Sequence, residues 1–318
     1  MKNKICILIL LLISLNAFCQ KKILLLNKKN EPIQFANVKY GLKTGVYSNE
    51  TGYFQITANE NDTIKISSVG YKQYIILNKY IKDTVILEDD IIELKEIIIS
   101  NKINKIKKVS KIKTKNSSEF YDGFRTSNGN EIATLIENNF PNNTVKLKKI
   151  IVPILTKTMN YRLLNKSQVL KKFPFQTYFR INFYENKNNC PGEKINEDNI
   201  IVKIDENSAS DFQIDLKSNN IYIPENGFFV SIENLGEKNN SNDLFLTDSN
   251  YKNKADTFLM PQFILTNKLE KKITFFKNNF NEKNQWKNIS DNDIKLSVNS
   301  KKESNVNLGI GYELEIYE

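Results

Sequence analysis

Apolar and polar residues alternate with a period of two along short stretches of this chain, and that alternation limits its fold more than any other feature. Phe54 and Ile56 flank Gln55, and Ile64 and Ile66 flank Lys65. Phe179, Ile181 and Phe183 interleave with Tyr178, Arg180, Asn182 and Tyr184. Further rows are Ile200, Val202 and Ile204; Phe212, Ile214 and Leu216; Phe228, Val230 and Ile232; Ile294, Leu296 and Val298; and Ile310, Tyr312, Leu314 and Ile316. Successive side chains of a strand point to opposite faces, so these rows predict sheets buried on one face and wetted on the other. Before residue 100 the rows are short, with Val85, Leu87 and the run Ile97-Ile98-Ile99 following those already named. Turn signals separate them: Asn30-Glu31-Pro32, Asn49-Glu50-Thr51-Gly52 and Asn59-Glu60-Asn61-Asp62. Strands spaced about ten residues apart predict an all-β sandwich there. The stretch from Glu119 to the end, about 200 residues with many strands, predicts a larger jelly-roll-like β-sandwich.

The segment ahead of the first strand has another character. Lys2 and Lys4 precede an almost wholly apolar run, Ile5 to Leu15. At about eleven residues it suits a signal peptide and falls short of the ~20 residues that cross a bilayer. Ala17 and Cys19 are small residues two apart, which predicts cleavage between Cys19 and Gln20. The competing expectation is a lipoprotein carried on Cys19, which Phe18 just before it disfavours. The plan is therefore a signal peptide over 1–19, a small sandwich over 20–100, a basic linker over 101–118 and the larger sandwich over 119–318. The linker holds Lys102, Lys105, Lys107, Lys108, Lys111, Lys113 and Lys115, with Ile103, Ile106, Val109 and Ile112 at every third position. It reads as a solvated linker with partial helix or strand character. The alternative is a basic amphipathic helix giving weak contact with an anionic membrane.

Composition removes several function classes. The chain has no histidine, which excludes a Ser-His-Asp triad, a Cys-His pair, a His-ligated zinc and a His general base. Loss of Lys2 and Lys4 takes the net charge from +10 to +8. Of 46 basic residues only Arg125, Arg162 and Arg180 are arginine, and base readout favours the guanidinium fork, so nucleic acid is not expected as a partner. Cys6 and Cys19 leave with the signal. Cys190 then stands alone as an expected partly buried thiol with no disulfide.

Four motifs in the first region carry a family resemblance. Pro32-Ile33-Gln34-Phe35-Ala36-Asn37-Val38, Asn49-Glu50-Thr51-Gly52-Tyr53-Phe54, Asp62-Thr63-Ile64-Lys65-Ile66-Ser67-Ser68-Val69-Gly70-Tyr71 and Glu93-Leu94-Lys95-Glu96-Ile97-Ile98-Ile99 stand in the order and spacing of the carboxypeptidase-like regulatory domain. The first motif resembles one of its strands, the second a glycine turn, and the last its closing strand. Ser48-Asn49 replaces the usual Thr-Asp, and the opening glycine is missing. The resemblance implies a transthyretin/Ig-like β-sandwich without catalytic residues, used for assembly or docking in the envelope. Gly52 is expected at a turn needing positive φ, with Tyr53 or Phe54 dropping a ring into the core. Gly129-Asn130-Glu131-Ile132-Ala133, Phe179 to Tyr184, Pro191-Gly192, Asn199 to Val202, Asp215-Leu216 and Gly227 to Glu233 are similar to a β-rich region of uncharacterised exported bacterial proteins. That resemblance implies no activity.

Candidate site residues are few. Trp286, the only tryptophan, and Tyr222, expected to face solvent between inward Ile221 and Ile223, are candidate sugar-stacking residues. Asp291, Asp293 and the pair Asp89-Asp90 are of a type that suits calcium, but no full ligand loop follows, so solvated turns are favoured and no cofactor is expected. Arg180 and Glu233 are expected to form a cross-strand ion pair on the polar face of their sheet. Together these features predict an exported, non-enzymatic protein of the periplasm, the outer-membrane surface or the medium, binding a glycan or an envelope protein. A peripheral membrane-surface structural protein and a carboxylate-based hydrolase are the alternatives. A deep pocket with two facing carboxylates would favour the hydrolase.

Overall fold

The computed structural model describes residues 21–90, 105–116, 124–159, 170–172, 174–195, 199–238, 243–245, 261–291 and 305–318. The expected signal peptide with Cys19, the Glu93 to Ile99 strand, the Ile294 to Val298 row and Asp293 lie outside the described residues.

The first domain is a β-sandwich of two sheets. Lys21–Leu26 is the middle strand of one, antiparallel to Tyr53–Ile56 and parallel to Thr84–Ile86. The other runs in the order Thr44–Tyr47, Asn37–Tyr40, Thr63–Ser67, Tyr74–Leu77, all antiparallel. Ile23, Leu25, Val38, Val46, Phe54, Ile56, Ile64 and Ile66 meet between the sheets, essentially without exposure. The period-two rows thus become core as expected.

The turn motif works through particular atoms. Asn49 Oδ1 accepts the backbone N–H groups of Thr51 and Tyr53 at 3.1 and 2.8 Å, which closes the turn. Gly52 takes φ +77°, and a Cβ there would lie 2.6 Å from the Leu25 carbonyl oxygen. Phe54 is the ring that enters the core, while Tyr53 stays half-buried. The Pro32 to Val38 motif departs from expectation. Its strand begins only at Asn37, and Gln34 and Phe35 form a turn with Phe35 at φ +53°. Ser48 holds this turn through both its hydroxyl and its backbone: the hydroxyl accepts the Ala36 N–H at 2.9 Å and donates to the Ile33 carbonyl at 2.8 Å, while the Ser48 carbonyl accepts the Phe35 N–H at 3.0 Å.

The second domain is a larger sandwich of two seven-stranded sheets. One runs Cys190–Lys194, Gln176–Lys187, Phe228–Glu237, Asn130–Ile136, Thr274–Asn278, Lys287–Asn288, with Ile200–Asp205 also pairing to Gln176–Lys187. The other runs Ile106–Ile112, Gly311–Tyr317, Thr144–Leu155, Gln262–Phe263, Phe124–Arg125, with Asp211–Asp215 and Ile221–Tyr222 also pairing to Thr144–Leu155. Phe179, Ile181, Phe183, Phe228, Val230 and Ile232 of the first sheet face Val145, Leu147, Ile150, Val152, Leu314 and Ile316 of the second.

Two expectations are corrected. Residues 106–112, read as linker or amphipathic helix, are an edge strand antiparallel to Gly311–Tyr317. The unpaired edge of that strand offers a ladder of backbone bonds that a three-residue apolar recurrence cannot match. Lysines along it, with Lys111 3.1 Å from Glu313, suit an outer edge. The alternative, a helical stripe touching an anionic membrane, is not formed over residues 106–112. Cys190 is exposed at the start of its strand rather than partly buried. Among the described residues no helix is long and apolar enough to cross a membrane.

Candidate functional site

The outward rows of the first seven-stranded sheet are not wetted. Strand pairing sets Arg180 opposite Glu233, Glu233 opposite Glu131 and Glu131 opposite Lys277, so two carboxylates and two cations form one line across four strands. Glu131 is fully buried, Glu233 is 3% exposed and Arg180 8%. The predicted Arg180–Glu233 pair forms, with Nη1 3.3 Å from Oε2. Lys277 Nζ lies 3.1 Å from Glu131 Oε2. The small sandwich supplies the roof, so the face expected to meet water meets a second domain.

Every carboxylate oxygen is occupied. Asn279 Nδ2 donates to Glu131 at 2.9 Å and to Glu233 at 2.8 Å, and Asn182 Nδ2 bridges the same two groups at 3.0 and 3.1 Å. The Tyr184 hydroxyl donates to Glu131 Oε1 at 2.8 Å, and the Ser231 hydroxyl donates to the same oxygen. From the other domain, the Tyr47 hydroxyl donates to Glu233 at 2.7 Å. Arg180 Nη2 donates to the Phe35 carbonyl, the group that the turn at positive φ presents. Buried charges persist only when paired and hydrogen-bonded in this way. Burial alone would raise the Glu131 carboxyl. The Lys277 cation and the bonds from Ser231, Asn279 and Tyr184 outweigh it and hold the group at about 2. Burial, then the neighbouring carboxylate, pushes the Tyr47 and Tyr184 phenols well above their usual value.

Apolar contacts close the junction around this line. Leu235, Phe245 and Phe280 of the second domain belong to the core of the first. Phe280 packs on the Tyr47 ring at 5.3 Å and wedges between Gly45 and Gly129, where an added Cβ would lie 2.2 and 2.4 Å from its ring atoms. Only residues without a side chain admit the ring so closely. Glu50 pairs with Lys238, and Asn49 Nδ2 donates to the Asp243 carbonyl at 3.2 Å.

Beside the line lies a cleft of about 460 Å³ between the domains. The Pro32–Asn37 turn and Ser67, Ser68, Val69 and Tyr71 form one wall, and Arg180, Asn182, Tyr184, Lys194, Asn199, Glu233 and Asn279 form the other. Three buried atoms of these residues have no hydrogen-bond partner: Asn37 Oδ1, Arg180 Nε and Asn182 Oδ1. The Lys194 ammonium has no carboxylate within ion-pairing distance among the described residues. Burial, then the Arg180 charge, lowers it to about 8.

Trp286 and Tyr222 are not brought together. Trp286 is half-buried at the margin of the first sheet's outer face, its ring 5.3 Å from Tyr184 at 82° and covered by Lys277 Nζ at 4.4 Å. Tyr222 is half-buried on the second sheet, opposite Lys146. Asp89, Asp90 and Asp291 are exposed. Among the described residues no three His, Cys, Asp or Glu groups gather as metal ligands. The facing carboxylates that would favour a hydrolase do exist, but the oxygens of both are occupied by hydrogen bonds and ion pairs within the junction. Their oxygens serve the junction.

Residues 24–99 match the family model described as CarboxypepD_reg-like domain. The recognition made on the sequence motifs therefore holds for the first sandwich, a regulatory, non-catalytic module. No curated protein matches the chain.

Proposed function

We propose that the chain is an exported, non-enzymatic binding protein of the bacterial envelope whose ligand, a glycan, seats in the cleft between the sandwiches rather than on Trp286 or Tyr222. The observation that carries this is the cleft of about 460 Å³ at the junction, walled by both sandwiches and lined by the hydroxyl, amide and ammonium side chains of Ser67, Ser68, Asn182, Lys194, Asn199 and Asn279. Hydroxyl-rich ligands have the donors and acceptors to pair with such a lining, and the cleft is the size of a small-ligand site. A buried junction also fixes both walls in advance, which lowers the ordering cost of binding. Export rests on the sequence pattern of residues 1–20, and the non-catalytic reading on the regulatory module together with the occupied carboxylates.

The test is a glycan array probed with the purified protein and with Ser68→Trp. Ser68 lines the cleft but takes no part in the carboxylate line. The proposal expects specific glycan binding by the first and its loss in the variant at unchanged melting temperature. No glycan binding, or binding that survives Ser68→Trp, overturns it.

A further inference from the structure

Within that glycan-binding reading, on which this inference rests, we infer that the ligand is a long linear glycan, because the cleft is one half of a trough and a second cleft adjoins it end to end. The second cleft has a volume of about 490 Å³. On the strand Thr63–Ser67, Ile64 and Ile66 point into the core of the small sandwich, so Thr63, Lys65 and Ser67 point out of it. All three line a cleft: Ser67 the first, Lys65 and Thr63 the second. The neighbouring strand repeats the division. Asn37, opposite Ser67, lines the first cleft, and Lys39, opposite Lys65, lines the second. The wall from the other domain does the same, with Asn279 in the first cleft and Phe280 and Glu282 in the second. Three segments thus pass from one cleft to the other in step.

The length of this trough sets the size of the ligand. From Ser67 to Thr63 the strand rises about 14 Å. The clefts extend past those residues, the first to Val69 and the second to Asn61. A disaccharide fills one cleft and leaves the other open, whereas a linear chain of several rings lies along the strands and meets both. The second lining suits such a chain. Asn61, Thr63 and Gln73 supply amide and hydroxyl groups. Its two lysines are matched by Asp62 and Glu282, with Lys65 3.7 Å from Glu282, so a neutral sugar chain is accommodated. Leu42 and Ile75, 78% and 57% exposed, add apolar surface for the C–H faces of sugar rings. Rings of one chain that enter the second cleft add contacts without a second loss of translational freedom, so affinity rises with length until both clefts are filled.

The experiment is an array of linear glycans, each printed as the disaccharide, the tetrasaccharide and the octasaccharide, titrated with the purified protein. It is repeated on Thr63→Trp and Gln73→Trp, which obstruct the second cleft from two exposed positions, with the melting temperature measured alongside. The inference expects the octasaccharide of the bound glycan to bind at least about tenfold more tightly than its disaccharide. Each variant should remove that gain at unchanged disaccharide affinity, whereas Ser68→Trp abolishes binding at every length. Equal affinity for disaccharide and octasaccharide overturns the long-chain inference while leaving the glycan reading intact. A gain with length that persists in both second-cleft variants also overturns it. No binding of any glycan overturns both readings.

Discussion

Acid should loosen this protein at one buried carboxylate, and the size of the effect follows from its surroundings. Glu131 is held at about 2 in the folded chain, against an ordinary value of 4.5. The unfolded chain therefore binds the proton first as pH falls. The stabilisation is fully present above the unfolded value and is lost as pH drops from there through the folded value. The difference corresponds to about 3 kcal/mol near neutral pH, of which about 2 are lost between about pH 5 and pH 3. Glu131→Gln removes the titrating group while keeping its shape. Urea unfolding of both proteins should show the variant about 3 kcal/mol less stable at neutral pH. The gap should narrow by about 2 kcal/mol on going to about pH 3, because the wild-type protein alone loses the contribution. A gap that stays constant with pH, or widens in acid, would refute the claim that Lys277 and the three hydrogen bonds hold this group ionised.

Three other outcomes follow from the junction. Gly45→Ala puts a Cβ where only 2.2 Å separates it from Phe280, and overpacking of this kind should cost about 1–3 kcal/mol in urea unfolding; unchanged stability would show that the wedge is loose. Tyr47→Phe removes a 2.7 Å bond to Glu233 and should cost about 1.5–3 kcal/mol, less than additively with Glu233→Gln, and strict additivity in the double-mutant cycle would deny the cross-domain bond. Trp286 is the only tryptophan and packs on Tyr184, which lines the cleft, so its emission should shift when a sugar binds there, and an unchanged spectrum at saturation would place the sugar elsewhere.

Strands were legible because each inward row is a local pattern. Phe54 and Ile56, or Phe179 to Phe183, could only face a core, and the glycine turn at Gly52 announced itself through a conformation that side chains resist. The Arg180–Glu233 pair was also within reach, since both sit on outward rows of long strands. What hid was the meaning of the outward face. Tyr184, Ser231, Glu131 and Lys277 look like ordinary solvent-facing residues one strand at a time, and become a buried line only when pairing stacks them and a second domain covers them. Their apolar companions on the same face, Phe229, Leu135 and Phe275, were the available signal. Residues 106–112 misled for the opposite reason. Their three-residue recurrence is a helical hint of low strength, and an open sheet edge formed by the last strand of the chain, about 200 residues away, decides their structure. Trp286 drew attention by rarity, yet its ring is engaged by Tyr184 and Lys277.

The most direct test of the central claim is the position of a bound sugar. A crystal structure of the protein with a glycan that it binds on the array should show the ligand between the Pro32–Asn37 turn and the Arg180–Asn182 row. A sugar stacked on Trp286 or Tyr222, with nothing between the two sandwiches, would contradict the account.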